Sequence, residues 1–528
     1  MQNNEVFDEP KKIGNLFNAH FTSLKSNSLS TASESENFID ATFKDLKDGP
    51  NPKIKDDFFS FSYTTEIIVE KLLKKLDVSS GAGISDIPTK LIKSNTVFWA
   101  YILTKLINKC IELKQIPGEF KTAIVTPLYK KGDKMDLNNY RGISVICPAA
   151  KIFEKIIATQ IIIFFNTKKK FYNGQHGFRS DHSCETALHE LLSDLNKIKS
   201  KKMIALLLFI DYRKAFDLVD SKILLRKLFH YGFDRQSIDL IANYFINRKQ
   251  TVKVNKIKSD FCDLDLGVGQ GTITGSLFFL IFINDLAFTL DLECKMFADD
   301  TTLYTSGNDL NTLLTSFKKK LEKLFAWCNF NKLDINWSKT FFMFITNKRI
   351  NKELPTKIQV DNILVDVVTD FKLLGITIDN KLNFEKYTTQ LRAIINRKLY
   401  SIKRIFYLNR AVKLQFFKTF ILPYFDYCLS LFIYFPKASI QRINNAYYIC
   451  LDKLFKFKME QHDALNDGFC DIKDDINESI VDENSDIESD DINNRKKIIN
   501  KERILEFNAL LTGSISSIHF NSEYSKNS

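Results

Sequence analysis

The chain has 528 residues, 45% of them hydrophobic, and a formal net charge of +12. That is too long for one compact core and implies roughly two to four lobes. The longest apolar runs, 203–210 and 277–283, fall far short of the roughly 20 residues that cross a bilayer, so no membrane role is expected. The charge is unevenly spread. Between Asp463 and Asp491 lie twelve Asp or Glu against one lysine, a net −11, which leaves +23 on the remainder. A body that basic suits a polyanion, and nucleic acid is the usual one, although a lysine-rich codon bias would give the same balance. The first twenty residues are polar and carry no secretory pattern. The nine cysteines are scattered without a C-x-x-C pair, so no zinc site is expected. An intracellular chain with reduced thiols follows, with nucleus and cytoplasm both open.

Residues 1–60 are polar around one amphipathic piece, 13–24, and read as a partly ordered N-terminal extension. Apolar spacing predicts helices over 64–76 and about 95–114, the first stopped by Ser79-Ser80-Gly81-Ala82-Gly83. A short strand over 121–129 leads into a basic turn, Lys130-Lys131-Gly132-Asp133-Lys134. Helices follow at about 150–165 and from Ser183 to about Lys199, with a polar break between them. Strand–helix alternation to about residue 345 implies an α+β or α/β core. Residues 386–460 read as helical, 461–495 as an acidic disordered segment, and 496–528 as a short helix and tail.

The chemistry sits on carboxylates. Residues 203–210 form a continuous apolar run that fits a strand buried on both faces, and it stops at Asp211. A charged residue at such a tip is well placed to ligate a metal, or simply to cap the next helix. Further on, Phe297-Ala298-Asp299-Asp300 lies between two short strand-like stretches and predicts a hairpin with two acids at its turn. Asp suits turns for local reasons. Two adjacent like charges repel, however, and a divalent cation would neutralise them. Asp211, Asp299 and Asp300 together provide oxygen ligands for two Mg²⁺ ions, the arrangement for in-line displacement at phosphorus.

With these residues the chain resembles the reverse transcriptases of non-LTR retrotransposons, particularly jockey-like elements, over roughly residues 65–430. Asn139-Tyr140-Arg141-Gly142-Ile143-Ser144 is similar to the family's Y-R-P-I-S motif. Gln175-His176-Gly177-Phe178-Arg179 is similar to Q-x-G-F-R, and 211–219 to the first palm motif. Residues 267–278 are similar to G-V-P-Q-G-S-x-x-G-P-x-L-F, and Ile283-Asn284-Asp285-Leu286 follows in place. Asn336-Trp337-Ser338-Lys339-Thr340 and Leu373-Leu374-Gly375-Ile376 resemble two later palm motifs.

The resemblance implies an α+β right-hand polymerase, with fingers and palm over 61–385 and a helical thumb over 386–460. It implies two Mg²⁺ ions on Asp211, Asp299 and Asp300. The substrates would be an RNA template, a DNA primer or target DNA, and deoxynucleoside triphosphates. Phe216 would lie under the incoming sugar and exclude a 2′-hydroxyl; its bland alternative is a core ring. Gln270 and Gly271 would contact the template–nucleotide pair, or only start a helix. Arg141 and Lys121 would grip triphosphate oxygens, with plain solvation as the rival, and Arg179 would meet template or nucleotide. Lys339 would protonate the departing pyrophosphate.

The chain departs from the family at Gly142, Gly269 and Ser276, where proline is usual, and at Thr272, where serine is. These departures motivate an alternative reading, a decayed nucleic-acid-binding remnant. Residues 1–60 resemble the linker behind an endonuclease, so a truncated element is expected. An RNA-templated RNA polymerase shares the carboxylates, but Phe216 argues against it.

Overall fold

The computed structural model describes residues 8–348, 353–402 and 407–455. The acidic segment and the expected C-terminal helix lie outside the described residues. In chain order, the N-terminal half runs through α1 (Pro10–Thr22), α2 (Ala32–Asp48), α3 (Glu66–Lys75), α4 (Thr89–Ser94), α5 (Thr96–Leu113), β1 (Thr122–Tyr129), β2 (Tyr140–Val145), α6 (Pro148–Thr167) and α7 (Cys184–Ser200). Then come β3 (Ile204–Ile210), α8 (Ser221–His230), α9 (Arg235–Phe245), β4 (Arg248–Val254), β5 (Ile257–Lys258), β6 (Cys262–Leu264), α10 (Ile273–Thr289), β7 (Glu293–Phe297), β8 (Asp300–Gly307), α11 (Leu310–Phe330) and β9 (Phe341–Ile345). The hairpins β10 (Lys357–Val360) with β11 (Ile363–Asp366), and β12 (Asp370–Leu373) with β13 (Ile376–Asp379), precede α12 (Glu385–Ile402), α13 (Arg410–Phe416), α14 (Leu422–Asp426) and α15 (Lys437–Phe455). The fold is mixed α+β.

Two compact units divide the chain. Among the described residues, the first holds 8–180, 198–348 and 353–368. Its four-stranded antiparallel sheet runs β7-β8-β3-β9. All seven residues of β3 are buried, as its uninterrupted apolar run requires of a central strand. Beside that sheet, α10 is apolar on every side, and thirteen of its seventeen residues are buried. Thr272 caps it by accepting from Gly275 N at 3.1 Å. Glu154, itself buried, accepts from Ile273 N at 2.9 Å and so occupies the free end of the same helix. A second sheet runs β2-β1-β4-β5, with β6 also paired to β4. There β1 is antiparallel to β2 and parallel to β4.

Residues 10–48, read from sequence as partly ordered, are seated in this unit. α1 packs on β4, with Phe17 against Val125 and Val252. Its Asn18 is buried, and Nδ2 donates to Asp260 O at 2.8 Å. α2 begins in a capping box between Thr31 and Glu34 and buries Ile39, Phe43 and Leu46. Its Asp40 accepts from Arg226 Nε at 2.6 Å and meets His230 Nε2 at 2.7 Å. Part of this seating is made by polar side chains, Asn18 and Asp40, which is why hydropathy alone understated the segment's order.

Among the described residues, the second unit holds 181–197, 369–402 and 407–455. The sequence predicts a boundary at 385. The division falls earlier because β12 and β13 pack with the helix that follows: Thr377 Oγ1 donates to Gln390 Oε1 at 3.0 Å. Leu373-Leu374-Gly375-Ile376 therefore belongs to this unit. α12 packs on α15, Phe384 stacks on Phe435 at 4.0 Å, and Glu185 accepts from Ser430 N at 2.8 Å.

Candidate polymerase active site

The site is built where three strand ends meet. In the β3–β8 ladder Ile210 pairs with Thr301, so Asp211 and Asp300 are the next residues on neighbouring antiparallel strands. Phe297 pairs with Asp300 across a two-residue turn, Ala298-Asp299. Ala298 adopts φ +57, which suits a tight hairpin but disfavours an L side chain.

The turn is held from outside. Gln175, buried, reaches Ala298 with both ends of its amide. Its Oε1 accepts from Ala298 N at 2.9 Å and from Gly177 N at 2.8 Å, while Nε2 donates to Ala298 O at 3.3 Å. His176 N donates to Met296 O, and Met296 N to Gly174 O, both at 2.8 Å. Gly177 passes so close that a Cβ there would sit 2.2 Å from Ala298 N, so this position excludes any side chain.

Electrostatics tie the three acids together. Desolvation, with the charges of Asp299 and Asp211, pushes the Asp300 carboxyl up to about 6. Asp299 is raised as well, first by burial and then by Asp211, while Arg141 and Lys130 oppose the shift. Asp211 is held by Asn336, whose Nδ2 donates to Oδ2 at 2.9 Å. Lys339 Nζ stands 3.9 Å from the same oxygen. Lys130 is lowered by burial and by the charges of Arg141 and Lys339. These three cations thus face the carboxylates. No group of three or more His, Cys, Asp or Glu at metal-holding separation occurs among the described residues. The donor set nonetheless suits a hard divalent cation: oxygen ligands alone, mutually repelling and partly desolvated.

Phe216 is half-buried, stacked on Phe279 at 4.3 Å and edge-on to Phe178 at 6.2 Å. Gln270 Nε2 donates to Asp217 Oδ1 at 2.9 Å, and Gln270 O accepts from Ser144 N at 2.8 Å. Burial raises the Asp217 carboxyl, against the Gln270 hydrogen bond and the charges of Lys214 and Lys130. Gly271 adopts φ +95. A small cavity beside these residues is lined by Phe21, Gly142, Asp217, Arg248, Gly269 and Gln270. Both glycines that replace proline therefore border one space, and a Cβ at Gly142 would come within 3.2 Å of the Phe21 ring.

Two of the sequence candidates are engaged elsewhere. Lys121 Nζ donates to Asn243 O at 3.2 Å, at the end of α9. Arg179 Nη1 donates to the carbonyls of Tyr172 and Gln175 at 2.9 and 3.0 Å, and its guanidinium lies 5.3 Å from the Phe171 ring. Arg179 thus shapes the loop that carries Gln175. Sequence reasoning assigned no roles to Gln175, Lys130, Asn336 and Asp217. Three of them lie in or beside motifs already quoted, but each acts through a neighbour distant in sequence.

Residues 129–378 match the family described as reverse transcriptase (RNA-dependent DNA polymerase). The chain is 28% identical over 367 residues to a probable RNA-directed DNA polymerase from transposon BS of Drosophila melanogaster, covering 63% of this chain and 39% of that protein. It is 22% identical over 388 residues to the RNA-directed DNA polymerase from mobile element jockey of the same species, covering 71% and 42%. A probable RNA-directed DNA polymerase from its transposon X-element is 24% identical over 399 residues, covering 72% and 42%. The chain thus spans about two fifths of the length of these curated relatives.

Proposed function

The chain belongs to the reverse transcriptases of the jockey-like, non-LTR retrotransposon type, and we propose that it extends a DNA 3′-hydroxyl on an RNA template with deoxynucleoside triphosphates. The observation that carries this reading is the convergence of Asp211, Asp299 and Asp300 at adjoining strand ends, where burial first and then the charges of Asp299 and Asp211 push Asp300 up to about 6.

Asp211, Asp299 and Asp300 would hold two Mg²⁺ ions. Such ions activate the attacking hydroxyl and neutralise the charge that builds on the pyrophosphate leaving group. The primer 3′-oxygen bonds to the α-phosphorus, and the bond from that phosphorus to pyrophosphate breaks. Arg141 and Lys130 face the same carboxylates and supply positive charge for triphosphate oxygens. Lys339 Nζ stands 3.9 Å from Asp211 Oδ2 and is the candidate donor to pyrophosphate. The outer face of Phe216, backed by Phe279, supports the sugar and excludes a 2′-hydroxyl. Gln270 is oriented by Asp217, and Gly271 leaves room for the template–nucleotide pair. In this assignment the first unit supplies palm and fingers, and the helices of the second supply the thumb, where Lys and Arg neutralise duplex phosphates.

The test is primer extension on an RNA template with Mg²⁺ by the full chain, beside Asp299→Ala/Asp300→Ala. Shortening the chain to residue 60 would remove α1 and α2 from the core. Extension that disappears in the double variant supports the polymerase. A folded wild type that binds template–primer and extends nothing overturns it in favour of the decayed remnant that the glycines at 142 and 269 suggest.

A further inference from the structure

The segment between α1 and α2 is tied to the Asp211 side of the site. Ser26 Oγ donates to Asp334 Oδ1 at 2.7 Å, and Asn27 N donates to both oxygens of that carboxylate at 3.2 and 3.0 Å. Next to it, Ser28 Oγ and Ser30 Oγ donate to Asn329 O at 2.7 and 3.0 Å. Asp334 in turn opens a short antiparallel pairing with the residues after β3. Arg213 N donates to Asp334 O, and Asn336 N donates to Asp211 O, each at 2.8 Å. Tyr212 bridges Ile335 between them. The Asn336 side chain then fixes Asp211 Oδ2. Residues 334–336 are thus gripped on one side by 26–27 and grip Asp211 on the other.

The far end of the segment is anchored independently. Asn18 is buried against Gln250, Ser259 and Asp260. His20 Nε2 lies 3.1 Å from Lys214 Nζ, which sits in the loop between Asp211 and Asp217. Both ends therefore bear on the chain that carries Asp211. An extension serving only as a tether would need neither contact. A bond from a backbone N–H and a hydroxyl to an ionised carboxylate is also stronger and more directional than neutral packing.

We propose that residues 10–31 brace the Asp211 side of the metal site, and that Asp334 is the positioning residue through which the brace acts. This rests on the reading of Asp211, Asp299 and Asp300 as metal ligands. Groups that orient a ligand from behind typically change metal affinity about 10- to 100-fold when removed.

The test is Mn²⁺ binding by the full chain, followed through the free-ion paramagnetic resonance signal, in wild type, Asp334→Ala, Asp334→Asn, Ser26→Ala and Asp299→Ala/Asp300→Ala. Asp334→Ala is expected to weaken Mn²⁺ binding about tenfold. Asp334→Asn keeps an acceptor and recovers part of the affinity, and Ser26→Ala shows a smaller loss. Template–primer affinity stays at the wild-type value. Should Asp334→Ala fail to fold, Ser26→Ala decides. Wild-type Mn²⁺ affinity in Asp334→Ala and Ser26→Ala, with binding lost in Asp299→Ala/Asp300→Ala, overturns the brace alone. A wild type that takes up no Mn²⁺ overturns the metal-site reading and the brace with it.

Discussion

Replacing Gln175 by alanine should loosen the acidic hairpin without touching an acid. Its Oε1 takes the N–H groups of Ala298 and Gly177, and both lie where water does not replace it. A buried donor left without a partner costs about 1–3 kcal/mol, so two of them cost roughly 2–6 kcal/mol. The turn is also intrinsically unfavourable, since Ala298 sits at positive φ, a conformation that costs about 1–2 kcal/mol for an L residue. With domain stabilities of about 5–15 kcal/mol, the variant should lose a large fraction of its margin. Urea unfolding at pH 7 would measure the loss, and amide exchange at residues 296–300 would locate it. Primer extension should fall more steeply than template binding, because the hairpin carries Asp299 and Asp300. A loss under about 1 kcal/mol with unchanged exchange would refute the idea that Gln175 holds the turn.

Asp300 gives a pH test in metal-free buffer. Its folded-state pKa, about 6, lies above the ordinary 3.8, so between these values the folded chain holds the extra proton and stability falls as pH rises. Asp300→Asn should therefore melt higher than wild type above pH 6 in chelator, with the difference gone below about pH 4. Lys227, buried, donates to Asp285 Oδ1 at 2.6 Å, and Trp327 Nε1 donates to the other oxygen at 2.9 Å. Lys227→Ala should cost about 3–5 kcal/mol in chemical unfolding because the buried Asp285 loses its cationic partner, and Lys227→Met/Asp285→Leu should recover much of it. Phe216→Val should lower the preference for deoxynucleotides over ribonucleotides by roughly tenfold in competitive extension, since a pocket contact of this kind is worth about 1–3 kcal/mol. Unchanged selectivity would reduce Phe216 to a core ring on Phe279.

Much of the site was legible because its parts are local. The apolar run ending at Asp211 fits a strand covered on both faces, and β3 is buried along its whole length; a similar run at 277–283 lies in the buried helix α10, so it is the length of eight residues and the stop at Asp211 that favour a strand. Phe297-Ala298-Asp299-Asp300 predicts a hairpin by its flanking strand residues, but the turn falls on Ala298-Asp299 and not on the two acids, because Asp300 pairs with Phe297 and opens β8. The mixed α+β class follows from the alternation of periods. Other features exist only once distant segments meet. Nothing near Gln175 in sequence indicates that its amide closes on Ala298, 123 residues away. Lys121 was expected at triphosphate oxygens and Arg179 at template or nucleotide, yet both donate to backbone carbonyls. Residues 10–48 read as only partly ordered because, beside the apolar contacts of Phe17, Ile39, Phe43 and Leu46, their seating rests on Asn18, Ser26 and Asp40, polar side chains whose partners at 250–260, 334 and 226–230 no local pattern names. Periodicity reports which face of an element is apolar, so it determined the strands, helices and acidic tips. Hydrogen bonds between side chains remote in sequence depend on the closed tertiary structure, and that alone decided what holds those tips in place.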